Sequence, residues 1–248
     1  MLDQIKNLSH QMRLFGIHAA ADRRAQEALS GQLHPLEFLR LVLEDEKLSR
    51  KDRSAKALTT KARFRFKADL EDWDQTFDRG VTQQKMRELS TLGFLHNREN
   101  LLILGKTGEG KTHLAIAIGK RICQEGHKTI FLPINFLFEE IAAARAAGRY
   151  LSYVKNLIKT EAMIMDDFGL RTYTHEEATS LMDILEERYQ KGVVILTSQI
   201  DPEGWLKLFE DPVIAEAIVD RLVHPSQKLI LKGGVSYREK LSPKTKKT

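Results

Sequence analysis

One eight-residue stretch constrains this chain more than any other: Gly105-Lys106-Thr107-Gly108-Glu109-Gly110-Lys111-Thr112. It reads glycine, four residues, then Gly-Lys-Thr. The apolar run Leu101-Leu102-Ile103-Leu104 precedes it and a helix-like segment, His113 to Cys123, follows it. The glycines reach backbone conformations closed to other residues, so successive N–H groups can turn inward toward phosphate oxygens, backed by a helix N-terminus. In this pattern Lys111 bridges the β- and γ-phosphates and Thr112 presents its hydroxyl to Mg²⁺. The candidate nucleotide-binding stretch is therefore Gly105, Lys106, Thr107, Gly108, Glu109, Gly110, Lys111, Thr112 and His113. His113 also suits plain helix packing.

The rest of the chain after about Asn100 fits that motif. Apolar runs at Leu101–Leu104, Lys128–Leu132, Ala162–Met165, Val193–Thr197 and Lys228–Leu231 alternate with helical stretches. Such alternation predicts an α/β fold with a parallel sheet covered on both faces and right-handed crossovers. The third run ends in two carboxylates, Asp166 and Asp167. A strand end beside a phosphate loop lies at the ligand-binding edge of such a sheet. There Asp166 would hold Mg²⁺ through water, and Asp167 would orient and deprotonate the attacking water. The alternative is a pair of acids capping the next turn. The fourth run turns polar at Thr197-Ser198-Gln199, where Thr197 and Ser198 are candidates to position that water. Arg221, in Val219-Asp220-Arg221-Leu222, is either a cation supplied across a subunit boundary to the transferring phosphate or a surface arginine paired with Asp220 or Glu216.

Residues 1–70 read as an all-helical domain, with Leu2, Ile5, Leu8, Met12 and Phe15 at helical spacing and a long third helix after Pro35. Gly16 and Gly31 read as punctuation. An acidic segment, Glu71 to Asp78, reads as a linker, which leaves 71–238 as the α/β domain and 239–248 as a basic tail. The net charge of +5 is too small to name a partner, but its distribution is uneven. From Lys47 to Lys67 nine basic residues face one acid, Asp52, and a second basic block runs from Lys228 to the end. Within the first block Arg50, Lys51, Arg53, Lys56, Lys61 and Arg63 are candidate contacts to a polyanion; a solvated helix face is the alternative. No apolar run approaches the roughly 20 residues of a membrane span, and the start lacks the order of a signal peptide. With one cysteine, Cys123, the chain reads as cytoplasmic.

Taken together, Asn100 to Ala115, Asp166-Asp167-Phe168-Gly169 and Asp220-Arg221-Leu222 resemble the IstB/DnaC group of AAA+ ATPases, over roughly residues 77–238. The N-terminal region, with Ala62-Arg63-Phe64, is more similar to the IstB-like helper ATPases of insertion-sequence transposition than to the helicase loaders. The resemblance implies a P-loop AAA+ sheet of the ASCE type and an ATPase that uses ATP and Mg²⁺. Lys111 and Thr112 would be Walker A ligands and Asp166 and Asp167 the Walker B pair. Thr197 and Ser198 would fall at sensor 1, and Arg221 would be an arginine finger. It further implies that Ile134 to Lys159 is a helical insertion facing DNA, with Arg145, Arg149 and Lys155 on it. Little chain follows Arg221, so the usual C-terminal helical lid is not expected, and Arg238 is a candidate to replace its sensor 2 arginine. The implied partners are duplex DNA, a transposase and further copies of the chain, with ATP between subunits. A helicase loader is the alternative.

Overall fold

The computed structural model describes residues 1–31, 33–73 and 79–233. Arg238, the tail 239–248 and the part of the acidic linker at 74–78 lie outside the described residues. The chain divides into two compact units, with the boundary between Ala57 and Leu58.

The first unit is helical: α1 (Leu2–Gln11), α2 (Phe15–Gly31) and the greater part of α3 (Pro35–Lys61). Pro35 opens α3, where its missing N–H costs nothing. Gly16, expected to break the chain, instead lies in the first turn of α2. A Cβ there would sit 2.5 Å from the Asp45 carbonyl oxygen and 2.6 Å from the Glu46 Cα, so glycine is what lets α2 and α3 approach. The Arg24 guanidinium clasps both oxygens of Asp45 at 2.6 and 3.0 Å. Glu46 is buried and accepts the backbone N–H groups of Gly16 (2.7 Å) and Ile17 (3.3 Å) and the Nε–H of Arg50 (2.7 Å). Large apolar side chains of this unit, among them Leu36, Leu39 and Leu43, remain exposed. Polar clasps join its helices where these large apolar side chains do not.

The second unit carries the α/β fold. Its strands are β1 (Asn100–Leu104), β2 (Thr129–Pro133), β3 (Ala162–Phe168), β4 (Val193–Ser198) and β5 (Ser226–Ile230). All pairings are parallel and the order is β2-β3-β4-β1-β5. Side chains alternate between the two faces. Leu101, Ile103, Ile164 and Ile195 pack beneath α4 (Gln83–Ser90), α5 (Gly93–His96) and α6 (Lys111–Gln124). Leu102, Met163, Val194 and Leu196 face the other core, with α7 (Ile134–Ala146), α8 (Tyr150–Ile158), α9 (His175–Arg188) and α11 (Pro212–Val223). A short helix, α10 (Pro202–Trp205), follows β4. Burial on both faces explains why β1, β3 and β4 read as apolar runs, whereas the edge strand β5 begins Ser226-Gln227-Lys228 and is mostly not buried.

Local signals fix the helix ends. Thr174 and Glu177 form a reciprocal capping box on α9, and Asp211 accepts the N–H groups of Val213 and Ile214 ahead of Pro212 on α11. At its far end α9 delivers Arg188, 1% exposed, to the carbonyls of Leu157, Thr160 and Val193. Burial lowers its pKa to about 10, so it stays charged at neutral pH while tying α8 to β4.

Candidate active site

The loop between β1 and α6 is built on glycine conformations. Gly105, Gly108 and Gly110 have φ of 151°, 87° and 92°. At Gly105 a side chain would also collide with the carboxylate of Glu109. That carboxylate is buried and accepts Lys106 N–H at 2.6 Å and Gly233 N–H at 3.1 Å. Glu109 thus holds the loop shut from below instead of facing the cavity above it, and Lys106 spends its N–H on that bond. Lys111 is 6% exposed and donates from Nζ to the carbonyls of Gly105 (2.7 Å) and Lys106 (2.8 Å), which holds the ammonium across the mouth of the loop. The Thr107 hydroxyl donates to Gln199 Oε1 at 2.6 Å, linking the loop to the end of β4.

Beside the loop lies a fully buried carboxylate. Asp166, near the end of β3, receives the hydroxyl of Thr112 at 2.9 Å and that of Thr197 at 2.7 Å. Burial pushes its pKa up, against the pull of the Thr197 hydroxyl, and the neighbouring Asp167 adds to the rise. The pairing of β3 with β4 slips between Met165 and Phe168, and Asp167 adopts a left-handed backbone with φ of 61°. Its N–H donates to Thr197 Oγ1 at 3.0 Å, so one threonine hydroxyl fixes both aspartates. The kink turns Asp167 into a cavity of about 500 Å³ that is also lined by Thr107, Gly108, Lys111, Thr112 and Gln199. Thr112 and Asp166 offer Mg²⁺ the hard oxygen pair it prefers, and a buried acid with a raised pKa gains from a cation beside it. The residues present fit the ion.

Ser198, grouped with Thr197 in the sequence reading, does not join this cluster. Its buried hydroxyl shares its one hydrogen between the carbonyls of Phe168 (2.9 Å) and Ile200 (3.0 Å) and accepts the Trp205 indole N–H at 3.2 Å. Neighbouring residues of a strand point to opposite faces, which is why only Thr197 meets Asp166. His113, at the start of α6, lines the cavity and stacks with Phe66 at 6.1 Å. Burial and the nearby Arg79 guanidinium hold its pKa below the usual histidine range. Sequence reasoning missed Arg65, Phe66 and Gln199 as walls of this cavity. Gln199 carried a signal, the polar turn after β4.

Arg221 lies at the other end of the sheet. Asn100, the first residue of β1, donates from Nδ2 to its carbonyl oxygen at 3.0 Å. A five-residue strand separates that end from the phosphate loop, roughly 15 Å away. The guanidinium pairs with Glu186 and donates from Nη1 to the Ala217 carbonyl, so its acidic partner is neither Asp220 nor Glu216. The candidate polyanion contacts are all on the surface. Arg50 and Arg53 pair with Glu46, and Lys51 and Lys56 are exposed on α3. In the second unit Lys61 is exposed and Arg63 is bound to Glu140 at 2.8 Å. Between β2 and β3, Arg149 and Lys155 are exposed, while Arg145 lies 4.0 Å from the Tyr150 ring centre and donates to Ser180.

A phosphate loop after the first strand, an acid near the end of the third and a β2-β3-β4-β1-β5 order define an AAA+ nucleotide-binding fold. The solved structures agree. The DnaI crystal structure aligns with a TM-score of 0.58 at 18% identity over 67% of this chain and 92% of that one. AMPPCP-bound DnaA from Aquifex aeolicus gives 0.58 at 17% identity, over 72% of this chain and 54% of that one. More specifically, the chain belongs to the IstB-like ATP binding protein family, whose model matches residues 7–245. An ATP-binding protein of insertion sequence IS21 from Pseudomonas aeruginosa is 33% identical over 239 residues, 96% of this chain and 90% of the relative. Among the described residues no helix is long and apolar enough to cross a membrane.

Proposed function

We propose that this protein hydrolyses ATP at a seam between two of its own copies, and that the copies so joined assemble on duplex DNA, deform it, and recruit and stimulate a transposase. The observation that carries the reading is that Lys111, Thr112 and Asp167 line one cavity, with Asp166 and Thr197 bonded behind Thr112, within a family of ATP-binding proteins. Lys111 and the loop N–H groups bind the β- and γ-phosphates. Thr112 and Asp166 hold Mg²⁺, which when bound neutralises charge on the phosphate oxygens. Thr197 fixes the Asp166 carboxylate and the Asp167 backbone, so that Asp167 can take a proton from the attacking water. Arg221 lies too far from its own loop to touch its own nucleotide, which favours delivery to the site of a neighbouring copy.

Several features support the DNA and domain parts of this reading. The long helix α3 with the turn after it, and the helices between β2 and β3, present exposed cations: Arg50, Lys51, Arg53, Lys56, Lys61 and Arg63 on the first, Arg145, Arg149 and Lys155 on the second. Phosphate contacts of this kind give salt-sensitive binding with little base preference. Relatives from insertion sequences favour transposition over helicase loading. Electron microscopy of the protein with duplex DNA tests the reading. ATP should yield ordered assemblies on the duplex, and Lys111→Ala should yield none. Assemblies of the Lys111→Ala protein identical to wild type would overturn it.

A further inference from the structure

The segment that follows α3 reaches into the nucleotide cavity. It belongs to the second unit and is clamped onto the rest of that unit at three points. The Ala62 carbonyl accepts the N–H of Phe131, a residue of the edge strand β2, at 2.8 Å. Arg63 is bound to Glu140. Phe64 lies against α6, where a Cβ on Gly119 would come within 3.0 Å of its ring. Held in this way, Arg65 and Phe66 form a wall of the cavity that contains Lys111 and Asp167. The Arg65 guanidinium lies 3.9 Å from Asp166 Oδ2 and 5.8 Å from the Phe131 ring centre, and its side chain is 44% exposed. It is the one arginine among the described residues that lines this cavity. Sequence analysis placed it only within a block of basic residues.

We propose that Arg65 is a phosphate-binding residue of its own subunit's site and that it distinguishes a nucleoside triphosphate from a diphosphate. The inference rests on the ATP site proposed above. At 3.9 Å, and with nearly half of the arginine side chain in solvent, the guanidinium is held only loosely by the buried Asp166 carboxylate. Thr112 and Asp166 would hold a divalent cation whose charge would offset the carboxylate and free the Arg65 guanidinium from it. The anions left in the same cavity are then the Asp167 carboxylate and the terminal phosphate, and only the phosphate comes and goes with the nucleotide. A guanidinium binds phosphate with two parallel N–H donors, an arrangement a lysine cannot reproduce. Arg65 follows α3 directly, so the occupancy of the γ-phosphate position is felt by the chain that leads out of the basic helix.

The test is a binding titration of the full-length protein with AMP-PNP and with ADP, both with Mg²⁺. Arg65→Ala should weaken AMP-PNP binding about tenfold while ADP binding changes less than about twofold. Arg65→Lys should fall between wild type and Arg65→Ala. Hydrogen exchange of wild type supplies a second reading that needs no variant: amides 63–67 should gain protection with AMP-PNP and not with ADP. Equal losses for the two nucleotides, no loss, or equal protection by both would overturn the proposal. Lys111→Ala separates the underlying site from this inference. It should lose both nucleotides, and if it binds them as wild type does, the ATP site itself falls whatever Arg65 does.

Discussion

Glu46 in the helical unit and Asp166 in the α/β unit are both buried carboxylates, 6% and 0% exposed, yet their surroundings differ in kind. Glu46 meets two backbone N–H groups and a close guanidinium. Although burial pushes its pKa up, Arg50 and the Gly16 and Ile17 amides together bring it below the usual carboxylate range. Asp166 meets two hydroxyls and a distant guanidinium, and burial wins, so its pKa is raised. The first acid is saturated by fixed donors and can only join helices. The second keeps unfilled capacity for a cation. A buried charge is a clasp or a ligand according to whether its neighbours already satisfy it.

The largest expected effect breaks the second half of that comparison. Asp166→Asn should lower ATP hydrolysis about a hundredfold, measured as phosphate release, while the melting temperature without metal holds or rises because an uncompensated buried charge is gone. Glu46→Gln should do the reverse. It should leave hydrolysis nearly intact and destabilise the helical unit by about 2 kcal/mol in a denaturant titration.

The two acids should also diverge with pH. Glu46, with its lowered folded pKa, stabilises fully above the unfolded value near 4.3 and loses that contribution as pH falls through the folded value. The stability gap between wild type and Glu46→Gln should therefore close in acid. For Asp166 the sign is opposite, because a raised pKa means the ionised form opposes folding. The advantage of Asp166→Asn without metal should shrink as pH falls through that raised value. Melting curves across pH check both. Finer still is the contrast on β4. Thr197→Val should slow hydrolysis roughly tenfold to a hundredfold by freeing both aspartates. Ser198→Ala should change it less than about twofold and cost about 1 kcal/mol of stability.

Much of the site was legible from sequence because its signals are local. The phosphate loop declares itself by glycine spacing between a strand and a helix. Asp166 follows an apolar run that can only be a strand, and Thr197 sits where a similar run turns polar. What escaped notice depends on contacts between residues far apart in the chain. Nothing near Glu109 announces a bond to Gly233, and nothing near Arg65 announces Asp166, a hundred positions away. Gly16 looked like a break because glycine ends helices, but its reason is the approach of α3. The left-handed Asp167 follows from a slipped register that no spacing rule foretells.

The central claim is that each ATP site is completed by Arg221 of a neighbouring copy, and mixing two inactive proteins tests it most directly. Asp167→Asn lacks the acid that takes the proton from water but keeps the phosphate loop, and Arg221→Ala lacks the arginine, so each alone should hydrolyse little ATP. Combined in equal amounts on duplex DNA, roughly a quarter of head-to-tail seams would unite an intact Asp167 with an intact arginine, and phosphate release should recover to about that fraction of wild type. A mixture no more active than its two components would contradict the claim.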